Sequence, residues 1–139
     1  MSRTSHDSHI HEMVRQLLAH EANMGDPART PIAVAFYVSE KFRRHLSRLM
    51  GPSGFRTLIA RALALETRDD TAVAMFSVNT DGSLEGFNEA STDAVEAYTL
   101  LLARVLALLV TFIGETLTLE LVRDLWPNLI QANRKQEYE

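Results

Sequence analysis

Apolar residues recur along this chain at helical spacing, and the connections lie where that spacing fails. Ile10, Met13, Val14, Leu17 and Leu18 share one face of a first helix, which starts at a cap near Ser8 and runs out at Met24-Gly25. Asp26 to Arg29 form a connector. Thr30-Pro31 then pairs a capping hydroxyl with a proline at the first helical position, where the missing N–H costs nothing. The second helix runs from Pro31 to about Met50, with Ala35, Phe36, Phe42, Leu46, Leu49 and Met50 on its inner face and Gly51 closing it. Pro52-Ser53-Gly54 turns the chain into a third helix, whose inner face is Phe55, Leu58, Ile59, Ala62 and Leu63.

From Arg68 to Ala90 the helical period is lost. Val73, Met75 and Ser77 fall on one side of an extended reading, with Ala74, Phe76 and Val78 on the other. Asn79-Thr80-Asp81-Gly82-Ser83 follows, then Leu84-Glu85-Gly86-Phe87. Asp-Gly between β-forming residues is a hairpin signal, so 69–90 is expected to be a small hairpin or an ordered surface loop.

Ser91-Thr92-Asp93 caps a fourth helix that reaches Gly114 and carries Arg104 as its lone charge between Tyr98 and Gly114. A bilayer span needs about 20 mainly apolar residues. Here the uninterrupted run is only Val105 to Gly114, bounded by Arg104 and Glu115, so no constitutive membrane span is expected. Thr99, Ala103, Ala107 and Gly114 form a line of small residues that lets another helix approach, and the leucine-rich remainder needs cover on several sides. That is the pattern of a central helix, part of whose leucine face, Leu109 and Phe112 included, could be completed by a partner. Arg104 either finds a carboxylate or lays its stem along the core and reaches solvent.

The fifth helix is read from Thr116 to Trp126, stopped by Pro127, with a short turn through Leu129 and Ile130. Leu117, Leu121 and Leu125 make its apolar line, and Leu119, Val122 and Trp126 widen it. The polar arc of Glu120, Arg123 and Asp124 is narrow. Either the bundle covers both sides, or Leu119 and Trp126 meet a partner. The expectation is therefore an all-α fold: a single domain over 1–139, about five helices around a central helix at about 91–114, with tails at 1–7 and 131–139 disordered.

Composition narrows the function classes. The 139 residues, 46% hydrophobic and 23% charged, suit one soluble domain. A net charge of −4 argues against a dedicated nucleic-acid binder. The chain has no cysteine, which removes disulfides, thiolate catalysis, iron–sulfur clusters and cysteine-type zinc sites. Met1 to Glu12 shows no apolar leader region, and a cytoplasmic protein is expected.

Candidate chemistry is sparse. His6, His9 and His11 with Asp7 and Glu12 have the donors for a metal site, but His9 and His11 point to different sides of a helix. Neither His-Glu pair has a second histidine four residues on, no Glu-x-x-His occurs, and no histidine follows His45 to serve as a haem ligand in the second half. No nucleophile elbow, phosphate loop or dinucleotide fingerprint is present. No catalytic residue, metal or cofactor is assigned.

Charge is segregated. Lys41, Arg43, Arg44, Arg48, Arg56 and Arg61 form one block opposed only by Glu40, and Asp81, Glu85, Glu89, Asp93 and Glu96 form another. Tyr37, Lys41, Arg44 and Arg48 share the second-helix face opposite Phe42 and Leu46. With Arg56, at the start of the third helix, they are the candidate residues for an anion or acidic partner. Leu119, Trp126, Leu109 and Phe112 are the candidate residues for a protein partner. The leading expectation is a non-enzymatic helical interaction module, regulatory in kind, that forms a homodimer or docks on a larger protein. The alternatives are a small-molecule or anion-binding sensor and, below it, a conditional membrane-inserting bundle.

Overall fold

The computed structural model describes residues 5–69, 71–86 and 93–127. The helices are α1 (Ser5–Met24), α2 (Pro31–Met50), α3 (Pro52–Asp69), α4 (Asp93–Ile113) and α5 (Glu115–Leu125). Between α3 and α4 come a 3-10 turn (Thr71–Met75) and two short strands, β1 (Ser77–Val78) and β2 (Leu84–Glu85). α4 is the axis: α1, α2, α3, α5 and the 3-10 turn all pack on it.

Local chemistry sets the boundaries. Thr30 sits in extended backbone and its hydroxyl oxygen accepts the Ala33 amide at 3.2 Å, with Pro31 following at the first helical position. Gly51 ends α2 at a φ of +82°, and the chain re-enters a helix at once, so Pro52, Ser53 and Gly54 open α3 rather than forming a separate turn. α1 begins at Ser5, so Ser8 lies inside the helix, and the N-terminal tail expected through residue 7 is helical from Ser5 on. The expected tail at 131–139, the turn at Leu129 and Ile130, and the caps Ser91 and Thr92 lie outside the described residues.

The core follows most of the expected faces. Ile10, Val14 and Leu17 from α1, Phe55, Leu58, Ile59 and Ala62 from α3, and Leu101, Leu102, Val105, Leu106 and Leu109 from α4 are buried together. In α2 the buried face is Ile32, Val34, Ala35, Val38, Phe42 and Leu46, whereas Phe36, Leu49 and Met50 are exposed. The expected inner face was one step out of phase at each end of that helix. In α5, Thr118 is buried and Leu117 is exposed, against the expected line through Leu117, Leu121 and Leu125.

The hairpin reading of 69–90 holds only for its second half. Ser77 pairs with Glu85 and Val78 with Leu84, antiparallel, across the loop Asn79–Ser83. Asp81 Oδ1 accepts from the Ser83 amide at 2.9 Å and from its hydroxyl at 2.6 Å, while Asn79 exchanges backbone bonds with Ser83 and Gly82. Val73 to Met75, expected to be extended, form the 3-10 turn instead. Two strands this short need a support. It comes from Gly82, whose missing Cβ leaves room for the Phe55 ring, and from Gly86, which lies against the Met75 carbonyl.

One buried ion pair crosses the core. Arg104 Nε donates to Glu66 Oε1 at 3.0 Å, and Glu66 is fully buried while Arg104 keeps partial access to solvent. Both expectations for Arg104 are met in one side chain, a carboxylate partner and a route outward. By length and composition α4 could cross a bilayer over Ala94–Ile113, so the run is not too short as expected from its uninterrupted part. What distinguishes it here is cover: 56% of that window is buried inside the bundle.

Candidate functional site

Three surfaces follow from this arrangement. The first is the corner where α4 gives way to α5. α4 stops at Ile113 and α5 starts at Glu115, so Gly114 alone makes the turn, with φ +92° and ψ 163°. That backbone state is open almost only to glycine. The turn keeps a helical bond on each side: the Gly114 amide donates to the Val110 carbonyl at 2.9 Å, and the Gly114 carbonyl accepts from the Thr118 amide at 3.2 Å and its hydroxyl at 2.8 Å.

Around this corner large apolar side chains face outward. Phe112 is 60% exposed, Leu117 53% and Ile113 42%, with Val110 partly covered beside them. Thr111, Thr116 and Glu115 are the exposed polar neighbours. Of the residues expected to meet a partner, Phe112 is therefore outside and Leu119 is half-buried. Leu109 and Trp126 are not available: Leu109 is 1% exposed and Trp126 3%. The expectation for these two is corrected. α4 is central, so Leu109 points into its own bundle, and Trp126 folds back past the end of α5 onto α1 and α2.

Trp126 is the second feature. Its ring lies 5.2 Å from that of Phe42, and its indole N–H donates to Glu21 Oε1 at 3.0 Å. Lys41 Nζ sits 4.8 Å from the Trp126 ring centroid, a cation over a π face. Glu21 also faces Arg29, whose Nη2 donates to the Glu21 backbone carbonyl at 2.7 Å and lies 3.8 Å from Oε2. Gly25 makes this possible, because a Cβ there would stand 1.8 Å from Arg29 Nη2. The end of α5 is thus held by α1, the α1–α2 connector and α2 together.

The third surface is the basic face of α2. Arg44, Arg48 and Arg56 are exposed, and Tyr37 is partly so. Lys41, expected to stand free beside Tyr37, is half-buried and lies 5.9 Å from the Tyr37 centroid as well as over Trp126. Arg29, read from sequence only as connector, also approaches the Tyr37 ring, at 5.6 Å. Arg43 leaves the basic block altogether. It grips Glu40 through two bonds of 2.9 and 2.6 Å and reaches Asp81 of the hairpin loop at 3.8 Å. The bond to Glu40 raises the Arg43 pKa further, and the hydrogen bonds from Ser83 hold the Asp81 carboxyl below the usual range. Of the acidic block, Glu96 pairs with Arg15 across α1 and α4 at 3.8 Å, while Glu89 and the side chain of Asp93 lie outside the described residues.

Among the described residues no three histidine, aspartate or glutamate side chains gather as a metal site. His9 is exposed and His11 half-buried. Tyr98 is fully buried with its ring 4.8 Å from Phe76; burial first, and the Glu40 charge second, push its phenol far above the ordinary range.

The chain has no significant match among protein-family models, curated proteins or solved structures.

Proposed function

We propose that the protein is a non-enzymatic helical interaction module that associates with a second copy of itself through the α4–α5 corner. The observation that carries this reading is the outward set of Phe112, Ile113 and Leu117, three large apolar side chains within six residues on either side of one glycine. Apolar side chains gathered on a rim of threonines and a glutamate are the composition of an interface centre. A second copy fits best because the corner carries little charge to specify an oppositely charged partner, and twofold self-pairing is the commonest closed assembly.

The solution mass across a concentration series tests it. A concentration-dependent dimer is expected, and the double substitution Phe112→Glu, Leu117→Glu is expected to return it to monomer with unchanged helical circular dichroism. A monomer at all concentrations refutes the reading.

An anion-binding sensor at Tyr37, Arg44, Arg48 and Arg56 is the weaker proposal. Lys41, which would have completed that face, is already engaged by two aromatic rings.

A further inference from the structure

We propose that the second copy is recruited by exchange of α5: the helix opens at Gly114 and docks its Trp126 end on the α1–α2 surface of the partner chain, reciprocally. This rests on the self-association reading and specifies how that association is built.

Four observations converge on it. First, the connector is one residue long, and short strained hinges invite exchange of the element beyond them. Second, the chain is already helical on both sides of Gly114, with Val110 and Thr118 bonded to it as in a helix. Rotating this one residue into the α region continues α4 into α5, where Thr116 and Leu117 would donate to the Phe112 and Ile113 carbonyls in the i to i−4 pattern. Third, α5 is separable. Its principal packing partner is α4, and its far end is fixed by a compact set of contacts from Trp126 to Glu21, Lys41 and Phe42. In the exchanged dimer every one of these contacts is re-formed with the other chain, so only the hinge changes state.

Fourth, the exposed corner acquires an occupant. In a continuous α4–α5 helix, Val110, Ile113 and Leu117 fall at spacings of three and four, the seam along which two helices pair, with Phe112 alongside. Exchange brings the two opened hinges together about the twofold axis, so each seam meets its counterpart.

The sign of the hinge equilibrium can be set by one substitution. A Cβ at Gly114 meets nothing within 4 Å, so Gly114→Ala introduces no clash and acts on backbone conformation alone. At φ +92° alanine is disfavoured, whereas in a continuous helix it is preferred to glycine. Gly114→Ala should therefore strengthen dimerisation about tenfold or more. Inserting Gly-Ser-Gly after Gly114 relaxes the turn and should weaken it.

Complementation decides between exchange and side-by-side contact. Trp126 is the single tryptophan, so its emission reports its own docking site. Glu21→Ala protein, whose emission is perturbed, is mixed with a large excess of Trp126→Ala protein, which has no tryptophan, and the two are re-equilibrated. Exchange then places nearly every Trp126 of the Glu21→Ala chain on the intact Glu21 of the other, and the emission of the mixture is expected to return to the wild-type spectrum. A dimer whose mixture gives only the sum of the separate spectra, and whose mass is unmoved by the insertion, overturns exchange and leaves the surface-contact reading standing. Monomers for both the wild type and Gly114→Ala overturn both.

Discussion

Trp126 donates its indole N–H to Glu21 Oε1 at 3.0 Å, joining residues 105 positions apart. It ties the end of the last described helix to the end of the first. Trp126→Phe keeps most of the ring packing on Phe42 and removes the donor, and should cost about 1–2 kcal/mol because Glu21 retains Arg29. Trp126→Ala removes the packing too and should cost about 3–5 kcal/mol. Urea unfolding followed by far-ultraviolet circular dichroism measures both, since neither variant retains a tryptophan. Equal losses would show that the hydrogen bond, rather than the ring, holds the end of α5.

The Glu66–Arg104 pair gives a second test. Arg104→Met takes the guanidinium from a fully buried carboxylate and should cost about 3 kcal/mol. Glu66→Leu with Arg104→Met removes both charges and should recover most of that loss, because an apolar pair of similar size has no desolvation penalty to offset. Two losses that simply add in the double variant would mean that the pair is not coupled.

Glycine substitutions should separate into two classes. Gly86→Ala puts a Cβ 2.3 Å from the Met75 carbonyl oxygen at a φ of +97°, and a backbone atom there cannot step aside. About 3 kcal/mol or detachment of the hairpin is expected, seen as faster amide exchange at Val78 and Leu84. Gly51→Ala has a similar φ of +82° but open space around it, and about 1 kcal/mol is expected.

Tyr98 predicts a pH dependence at the alkaline end. Its folded-state pKa lies above the unfolded value of about 10, so the native state holds its proton more tightly. The contribution is complete below pH ~10. Above that, the unfolded chain releases a proton that the folded chain keeps, and stability falls by up to about 1.4 kcal/mol per pH unit until the folded group titrates. Tyr98→Phe should flatten this limb in denaturation series run between about pH 9 and pH 11, whatever its effect at neutral pH.

Much of this fold is legible in the chain because its strongest local signals are unambiguous. Thr30-Pro31, Gly51 and Gly114 mark boundaries by backbone conformation alone, and the apolar density of α4 marks it as the axis. Phase is less legible. The expected α5 line ran through Leu117 because leucine spacing alone ranked it above Thr118, whose hydroxyl is satisfied by the Gly114 carbonyl and so can be buried. Thr118 enters the core and Leu117 stays outside, beside the turn at Gly114. Ile113 and Leu117 were not among the expected partner residues, and of the two alternatives left open for Trp126 it is cover by its own bundle that holds. Its burial depends on Glu21, Arg29 and Lys41, which come from three separate places in the sequence. No local pattern carries that information.

The helix on which the others lean is the fourth to be made. When α1, α2 and α3 have been synthesised, the faces bearing Val14, Val38 and Ile59 are complete but have no centre to close on, and Glu66 still lacks Arg104. The arrival of Arg104 neutralises that carboxylate as the axis inserts, and Trp126 can then secure the last described helix. Assembly therefore waits for residues 93–113, and until they emerge from the ribosome the chain presents an open cradle of three helices. During that interval protection has to come from outside the chain, which makes this stage, more than the finished molecule, the point of greatest exposure to aggregation.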